Sequence, residues 1–116
     1  MVKPYKNPKD LAAITLLGAL AARAMISKIS KLPVVIKWPN DLRIHGRKVG
    51  GVLTERLPSG HLIIGIGINL NKIPAEIRRT AASLRILTGK KFEPGKIARR
   101  LITELDKEYC LFLKKS

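Results

Sequence analysis

Aromatic side chains are scarce in this chain: phenylalanine, tryptophan and tyrosine make up 4% of its 116 residues. A surface that stacks successive bases interleaves aromatic rings with cations, so the scarcity argues against a single-stranded nucleic-acid binder. Cysteine occurs once, at Cys110, which excludes an internal disulfide. It falls in a helical apolar pattern, where a buried core thiol is expected. Neither His45 nor His61 has a second histidine or a cysteine at ligand spacing, which excludes a zinc site and leaves turn or surface roles. Long apolar runs are missing too. The longest, residues 11–22, is broken by Thr15 and Gly18 and reads as too short to cross a bilayer. It follows a polar start, "MVKPYKNPKD", with no cleavage-like pattern after it, so a cytoplasmic protein without signal peptide or membrane contact is expected.

Acidic residues are the last shortage: 8 against 23 basic ones, for a net charge of +15. Such a field attracts nucleic acid, anionic membrane or phosphorylated small molecules. The excess is even, with 11 basic and 3 acidic groups in residues 1–58 and 12 and 5 in residues 59–116. Basic residues come singly or in doublets, never as the block that a nucleic-acid arm would need. A solvated basic surface with one anion site is the expectation, and a basic nucleic-acid-binding module is the alternative.

What is present suits one globular domain, with 46% hydrophobic and 27% charged residues. Residues 8–29 read as an amphipathic helix, capped by Asn7, opened by Pro8 and ended at Lys31-Leu32-Pro33. "VVIKW", residues 34–38, is short and β-branched, which predicts a buried strand with Trp38 in the core. Three strands then follow through short turns: "LRI" after Asp41, "KVGGVLTERL" at 48–57 and "HLIIGIGINLN" at 61–71. His45-Gly46 and Pro58-Ser59-Gly60 supply the turns. Residues 72–91 look loop-like, with a short helical piece at 81–87. A last helix starts at Glu93-Pro94, its buried stripe marked by Ile97, Leu101, Ile102, Leu105, Tyr109, Phe112 and Leu113. The fold class is α+β: a mostly antiparallel meander flanked by N- and C-terminal helices, with residues 1–116 as one domain.

Alternation in the last strand puts Leu62, Ile64, Ile66, Ile68 and Leu70 on one face and Ile63, Gly65, Gly67, Asn69 and Asn71 on the other. The first is an ordinary core face. The second is a bare floor ending in two amides, and glycines weaken a strand unless something lies close against its backbone. In the preceding strand, alternation puts Lys48, Gly50, Val52 and Thr54 together, with Val49, Gly51, Leu53 and Glu55 opposite. A lysine beside such a floor can hold an anion. Each glycine alone could instead serve close helix packing or mark a bulge. Two glycine-bearing strands beside Lys48, Asn69 and the Asn40-Asp41 corner point to a ligand.

These residues carry a resemblance. "KWPNDL", "GRKVGGVLTE" and "IGIGINLN", followed by "AASL" at 81–84 and "ITELDKEYCLFL" at 102–113, are similar to the central catalytic core of the biotin–protein ligases, within the biotin/lipoate ligase superfamily. The resemblance runs in order over nearly the whole chain. It implies ATP- and Mg2+-dependent formation of biotinyl-5'-AMP, then transfer of biotin to a lysine of a biotin carboxyl carrier protein. It makes Lys48 the catalytic, biotin-binding cation and places Gly50, Gly51, Gly65 and Gly67 against biotin. Asn40, Asp41, Asn69, Asn71 and Ser83 become nucleotide-side residues. Asp41 would pair with Lys48, hold magnesium or cap the turn.

The family pattern also has an upstream Gly-Arg-Gly-Arg loop over the adenylate and earlier strands contacting the ureido ring, and a small barrel often follows the last helix. None is found in this sequence, and "MVKP" looks like the tail of a preceding strand. The expectation is therefore half of a catalytic domain, completed by a separate N-terminal half chain or by a second copy. A split ligase, a shortened gene product and a nucleotide-binding remnant are all consistent with that, and a lipoate-ligase relative is a further alternative.

Overall fold

The computed structural model describes residues 8–115; Asn7 as a helix cap and the "MVKP" strand tail lie outside that range. The first helix, α1, spans Pro8–Ser30. It stops where Lys31 adopts a φ of 61° and the backbone N–H of Leu32 donates to Ser30 Oγ at 3.1 Å. Four strands follow, β1 (Val35–Lys37), β2 (Asp41–Ile44), β3 (Arg47–Arg56) and β4 (Leu62–Ile68), in the order β1-β2-β3-β4 with every pair antiparallel. His45 and Gly46, at φ 50° and 78°, make the two-residue turn from β2 to β3, the positive-φ geometry whose twist matches a right-twisted hairpin. Gly60 takes φ 91° in the next turn. A 3-10 turn (Ala75–Ile77), the short helix α2 (Leu84–Thr88) and the long helix α3 (Pro94–Lys115) complete the chain.

Among the described residues, only one face of the sheet is covered. α1 lies across it, and α3 packs against α1. This placement explains why α1 is apolar over more than one stripe: Ile14, Leu17, Ala19, Ala21, Ala22, Met25 and Ile26 are all buried. By length and composition alone Leu11–Ser30 is long and apolar enough to cross a membrane. The shorter 11–22 stretch read from the sequence missed the contribution of Met25, Ile26 and Ile29, and in the fold this surface faces the sheet and α3. Close approach to the sheet needs Gly18, where a Cβ would sit 3.1 Å from Val52 Cγ1 and Ile64 Cγ2. Leu42, Ile44 and Val49 from the sheet join Met25, Ile26, Leu84, Phe92 and Ile97 in the core.

Four expectations need correction. β1 is an edge strand, not a buried one: among the described residues it pairs with β2 alone, and Val35 is 61% exposed. Trp38, at the cis peptide corner with Pro39, is 63% exposed and outside the core. Cys110 is exposed. Ile102 and Leu113 are exposed as well. Because α3 meets essentially one helix, only a narrow strip of its apolar residues finds cover. The turn roles of the histidines hold: His45 makes the hairpin, and exposed His61 shares a 2.7 Å hydrogen bond with Ser59.

One ion pair ties α3 to α1. Lys28 Nζ lies 2.7 Å from Glu104 Oε2, with Lys107 3.8 Å from the same oxygen. The hydrogen bond to Lys28 holds the Glu104 carboxyl below its ordinary 4.5, and the same bond raises Lys28 above 10.5. A depressed carboxyl contributes stability above its unfolded value and loses it as pH falls through the folded one; a raised ammonium behaves in the opposite sense. The tie therefore supports the fold between about pH 4.5 and 10.5. Thermal melts across pH should show Glu104→Gln lowering the midpoint by roughly 2–5 °C near neutrality, with the difference shrinking as pH falls below 4.5.

Gly50 supplies a second expectation. A Cβ there would lie 2.6 Å from the Gly67 carbonyl oxygen, so Gly50→Ala must push β3 from β4. A loss of about 1–3 kcal/mol in urea unfolding is expected.

Candidate functional site

The uncovered face of the sheet holds the site. Strict alternation would put Lys48 on the inner face with Gly50 and Val52, but the β2–β3 ladder slips. Leu42 pairs with Gly50 and Arg43 with Lys48, leaving Val49 as an extra residue in β3. A bulge of this kind reverses the side-chain phase on one side of itself. Val49, Gly50 and Val52 consequently face the core, while Lys48 turns to the open face with Gly51 and Leu53. The sequence-based pairing of Lys48 with Gly50 is thus replaced by Lys48 with Gly51.

The floor is otherwise as alternation in β4 suggests. Ile64, Ile66 and Ile68 point inward; Ile63, Gly65 and Gly67 are exposed. Asn40, Lys48, Gly51, Leu53, Gly65 and Gly67 line an open depression of about 470 Å³. A Cβ on Gly67 would meet nothing within 4 Å, and one on Gly65 only the Leu53 carbonyl at 3.6 Å. Among the described residues, packing requires neither glycine, so the space above them is available. Over Gly51 lies the lysine itself, with Cε and Nζ 3.4 Å from where a Cβ would stand.

The backbone of Lys48 is fixed from both sides. Its N–H donates to the Thr80 carbonyl at 2.8 Å, and its carbonyl accepts from Ala82 N–H at 3.0 Å. Asn69 Nδ2 donates to the Lys48 and Ala82 carbonyls, each at 3.3 Å. Arg47, next door, reaches the Ala81 and Arg78 carbonyls at 3.2 and 2.8 Å. The stem of Lys48 therefore leaves a pinned point, and its side chain is 47% exposed. Its partner is Asp41: Oδ1 lies 3.4 Å from Lys48 Nζ, and Oδ2 lies 3.4 Å from Arg43 Nη2.

The other sequence candidates divide. The Asn40 carbonyl accepts from Val52 N–H at 2.9 Å, which fixes the corner at the rim. Gly50 is buried, its missing side chain accommodating Gly67, so it stands apart from the floor. Asn71 forms a closed exchange with Phe92, donating to its carbonyl at 2.8 Å and accepting from its N–H at 2.9 Å. Ser83 is fully buried and caps α2 by accepting from Ile86 N–H at 3.1 Å. Neither lines the depression. Arg43 was passed over in the sequence, although its i+2 spacing from Asp41 on a strand signals a shared face.

Magnesium fits poorly as a protein-held ion. Each oxygen of Asp41 already faces a cation, and among the described residues there is no group of three or more Asp, Glu, His or Cys able to hold a metal. The site offers an ammonium, an amide corner and bare backbone, a combination suited to a flat, largely neutral group carrying an anion.

The model of the biotin/lipoate A/B protein ligase family matches residues 2–69. The bifunctional ligase/repressor BirA of Bacillus subtilis is 36% identical over 106 residues, covering 83% of this chain and 32% of that protein. The biotin--[acetyl-CoA-carboxylase] ligase of Mycobacterium tuberculosis is 30% identical over 96 residues, covering 80% and 36%. Among solved structures, the apo biotin protein ligase of Aquifex aeolicus superposes with a TM-score of 0.87 at 33% identity, over 99% of this chain and 52% of its own. The same enzyme in complex with biotin and ATP gives 0.83. The chain thus spans about a third of the two relatives' length and about half of the solved ligase.

The floor predicts a separation of effects. Gly67→Val should leave the melting temperature within about 2 °C of the parent, since open space surrounds the site and β-branched residues suit strands. It should also fill the depression and weaken any ligand lying on it by tenfold or more, read by calorimetric titration.

Proposed function

Because the chain belongs to the biotin/lipoate A/B protein ligase family, we propose that it is part of a biotin–protein ligase catalytic domain and contributes the adenylate-forming floor. A carboxylate oxygen of biotin attacks the α-phosphorus of ATP, the bond to the β-phosphate oxygen breaks, and pyrophosphate leaves. The amine of a lysine on a biotin carboxyl carrier protein then attacks the acyl carbon, giving an amide and releasing AMP. The first step brings two anions together, and a fixed cation where they meet lowers its barrier.

The observation that supports this reading is the ammonium of Lys48 standing over Gly51 at the edge of a depression floored by Gly65 and Gly67. In this assignment Lys48 neutralises the reacting carboxylate and α-phosphate. Gly51, Gly65 and Gly67 let the biotin bicycle lie against the backbone, and Asn40 with Asp41 faces the nucleotide. Asn69 keeps the Lys48 segment in place and borders the phosphates. Asn71 and Ser83 act at one remove, through the backbone of Phe92 and Ile86 that they hold. Magnesium arrives with ATP as the counter-ion of its phosphates. The solved ligase is about twice as long as this chain; the groups that close over the adenylate are assigned to polypeptide beyond residues 1–116, joined to it or separate.

The test is binding first and turnover second. Titration of biotinyl-5'-AMP into the chain should release heat, with Lys48→Ala weakening binding at least tenfold, the scale of one charge-assisted contact, at an unchanged melting temperature. Biotin, ATP, magnesium, a carrier domain and the remainder of the catalytic domain should then give biotinylated carrier, lost with Lys48→Ala. No affinity of the folded chain for biotinyl-5'-AMP would falsify the assignment.

A further inference from the structure

Arg43 belongs to no motif that pointed to the site, yet it completes the charge network there. With Leu42 and Ile44 turned into the core, Asp41 and Arg43 share the open face of β2. The ladder sets Arg43 directly opposite Lys48. Two cations facing each other across a sheet repel, and the Asp41 carboxylate lies between them, one oxygen 3.4 Å from each. The two cations are held differently. Arg43 Nη1 donates to the Gly46 carbonyl at 3.1 Å, anchoring the guanidinium to the β2–β3 turn. Its Nε is buried with no hydrogen-bond partner, so the side chain keeps this position although one donor goes unmet. Lys48 Nζ has no such second anchor among the described residues, and its side chain is 47% exposed against 28% for Arg43. A rigid planar fork and a flexible ammonium stem therefore compete for one carboxylate.

We propose that Arg43 is a positioning residue that acts through Asp41: by keeping that carboxylate neutralised, it frees the Lys48 ammonium to move onto an incoming anion. Without Arg43, Asp41 would hold Lys48 by itself and repel the ligand's negative charge. The identity of that anion, a biotin carboxylate or nucleotide α-phosphate, rests on the function proposed above; the three-residue relay does not.

Two readouts on the full chain separate these claims. The first needs no ligand: acetylation of Lys48 by acetic anhydride, followed by mass spectrometry and normalised to exposed Lys90. Arg43→Ala should slow it about threefold, Arg43→Lys should recover most of the rate, and in an Asp41→Asn background Arg43→Ala should change it much less. The second is affinity for biotinyl-5'-AMP, where Arg43→Ala should weaken binding about tenfold with Asp41 present and less than twofold with Asp41→Asn. Equal losses in both backgrounds, in either readout, overturn the relay, because a direct ligand contact or a general folding defect would persist without the carboxylate. Coupled acetylation rates in a chain that does not bind biotinyl-5'-AMP would uphold the relay and remove the ligase reading instead.

Discussion

Everything at the site depends on one residue of β3 that has no partner in β2. Val49 is the residue by which the β2–β3 ladder slips. Its side chain fills the core, so the slip is held in place by apolar burial that a regular ladder would sacrifice. Turning Val49 inward turns Lys48 outward. The cation over the glycine floor is thus a by-product of packing a valine against Leu42, Ile44 and Met25. Core and site are the same decision made once.

Around that point the fold uses rigid parts. The segment 80–84 runs alongside the start of β3, hydrogen-bonded to Lys48 in both directions, and Asn69 bridges the two. α2 then begins at once with Ser83 as its cap. A charged group that must meet ligand within a fraction of an ångström is better placed on strands than on loops. The loop-like residues after β4 serve here as a brace, closed at their far end by the exchange between Asn71 and Phe92.

Much of this was legible in advance. Helix limits, turns and the glycine face of β4 follow from local chemistry: Pro8 and Lys31 bound α1, His45-Gly46 makes the hairpin, and alternation alone separates Gly65 and Gly67 from the isoleucines. The misses have a common cause, which is pairing between distant segments. Nothing local announces that β2 and β3 slip at Val49, so Lys48 was grouped with Gly50 when it shares its face with Gly51. Trp38 and Cys110 look like core residues by hydrophobicity, but cover depends on a second element being there, and the edge strand and the outer side of α3 have none. Asn71 and Ser83 are short polar residues whose backbone partners appear only in three dimensions. The motif resemblance reached the family where patterning could not, because it draws on several motifs in order as a set.

The one-sided layering of the molecule carries a colloidal consequence. Among the described residues, Val35, Leu53 and Ile63 stand on the uncovered side of the sheet at 61%, 62% and 49% exposure. Surfaces of this sort stick to one another, yet every copy also bears fifteen surplus positive charges. Mutual repulsion is long-ranged in dilute buffer and fades once the Debye length shrinks below about 10 Å. Ionic strength therefore acts on this protein as a dispersant dial, with low salt keeping molecules apart and high salt letting their greasy sides meet.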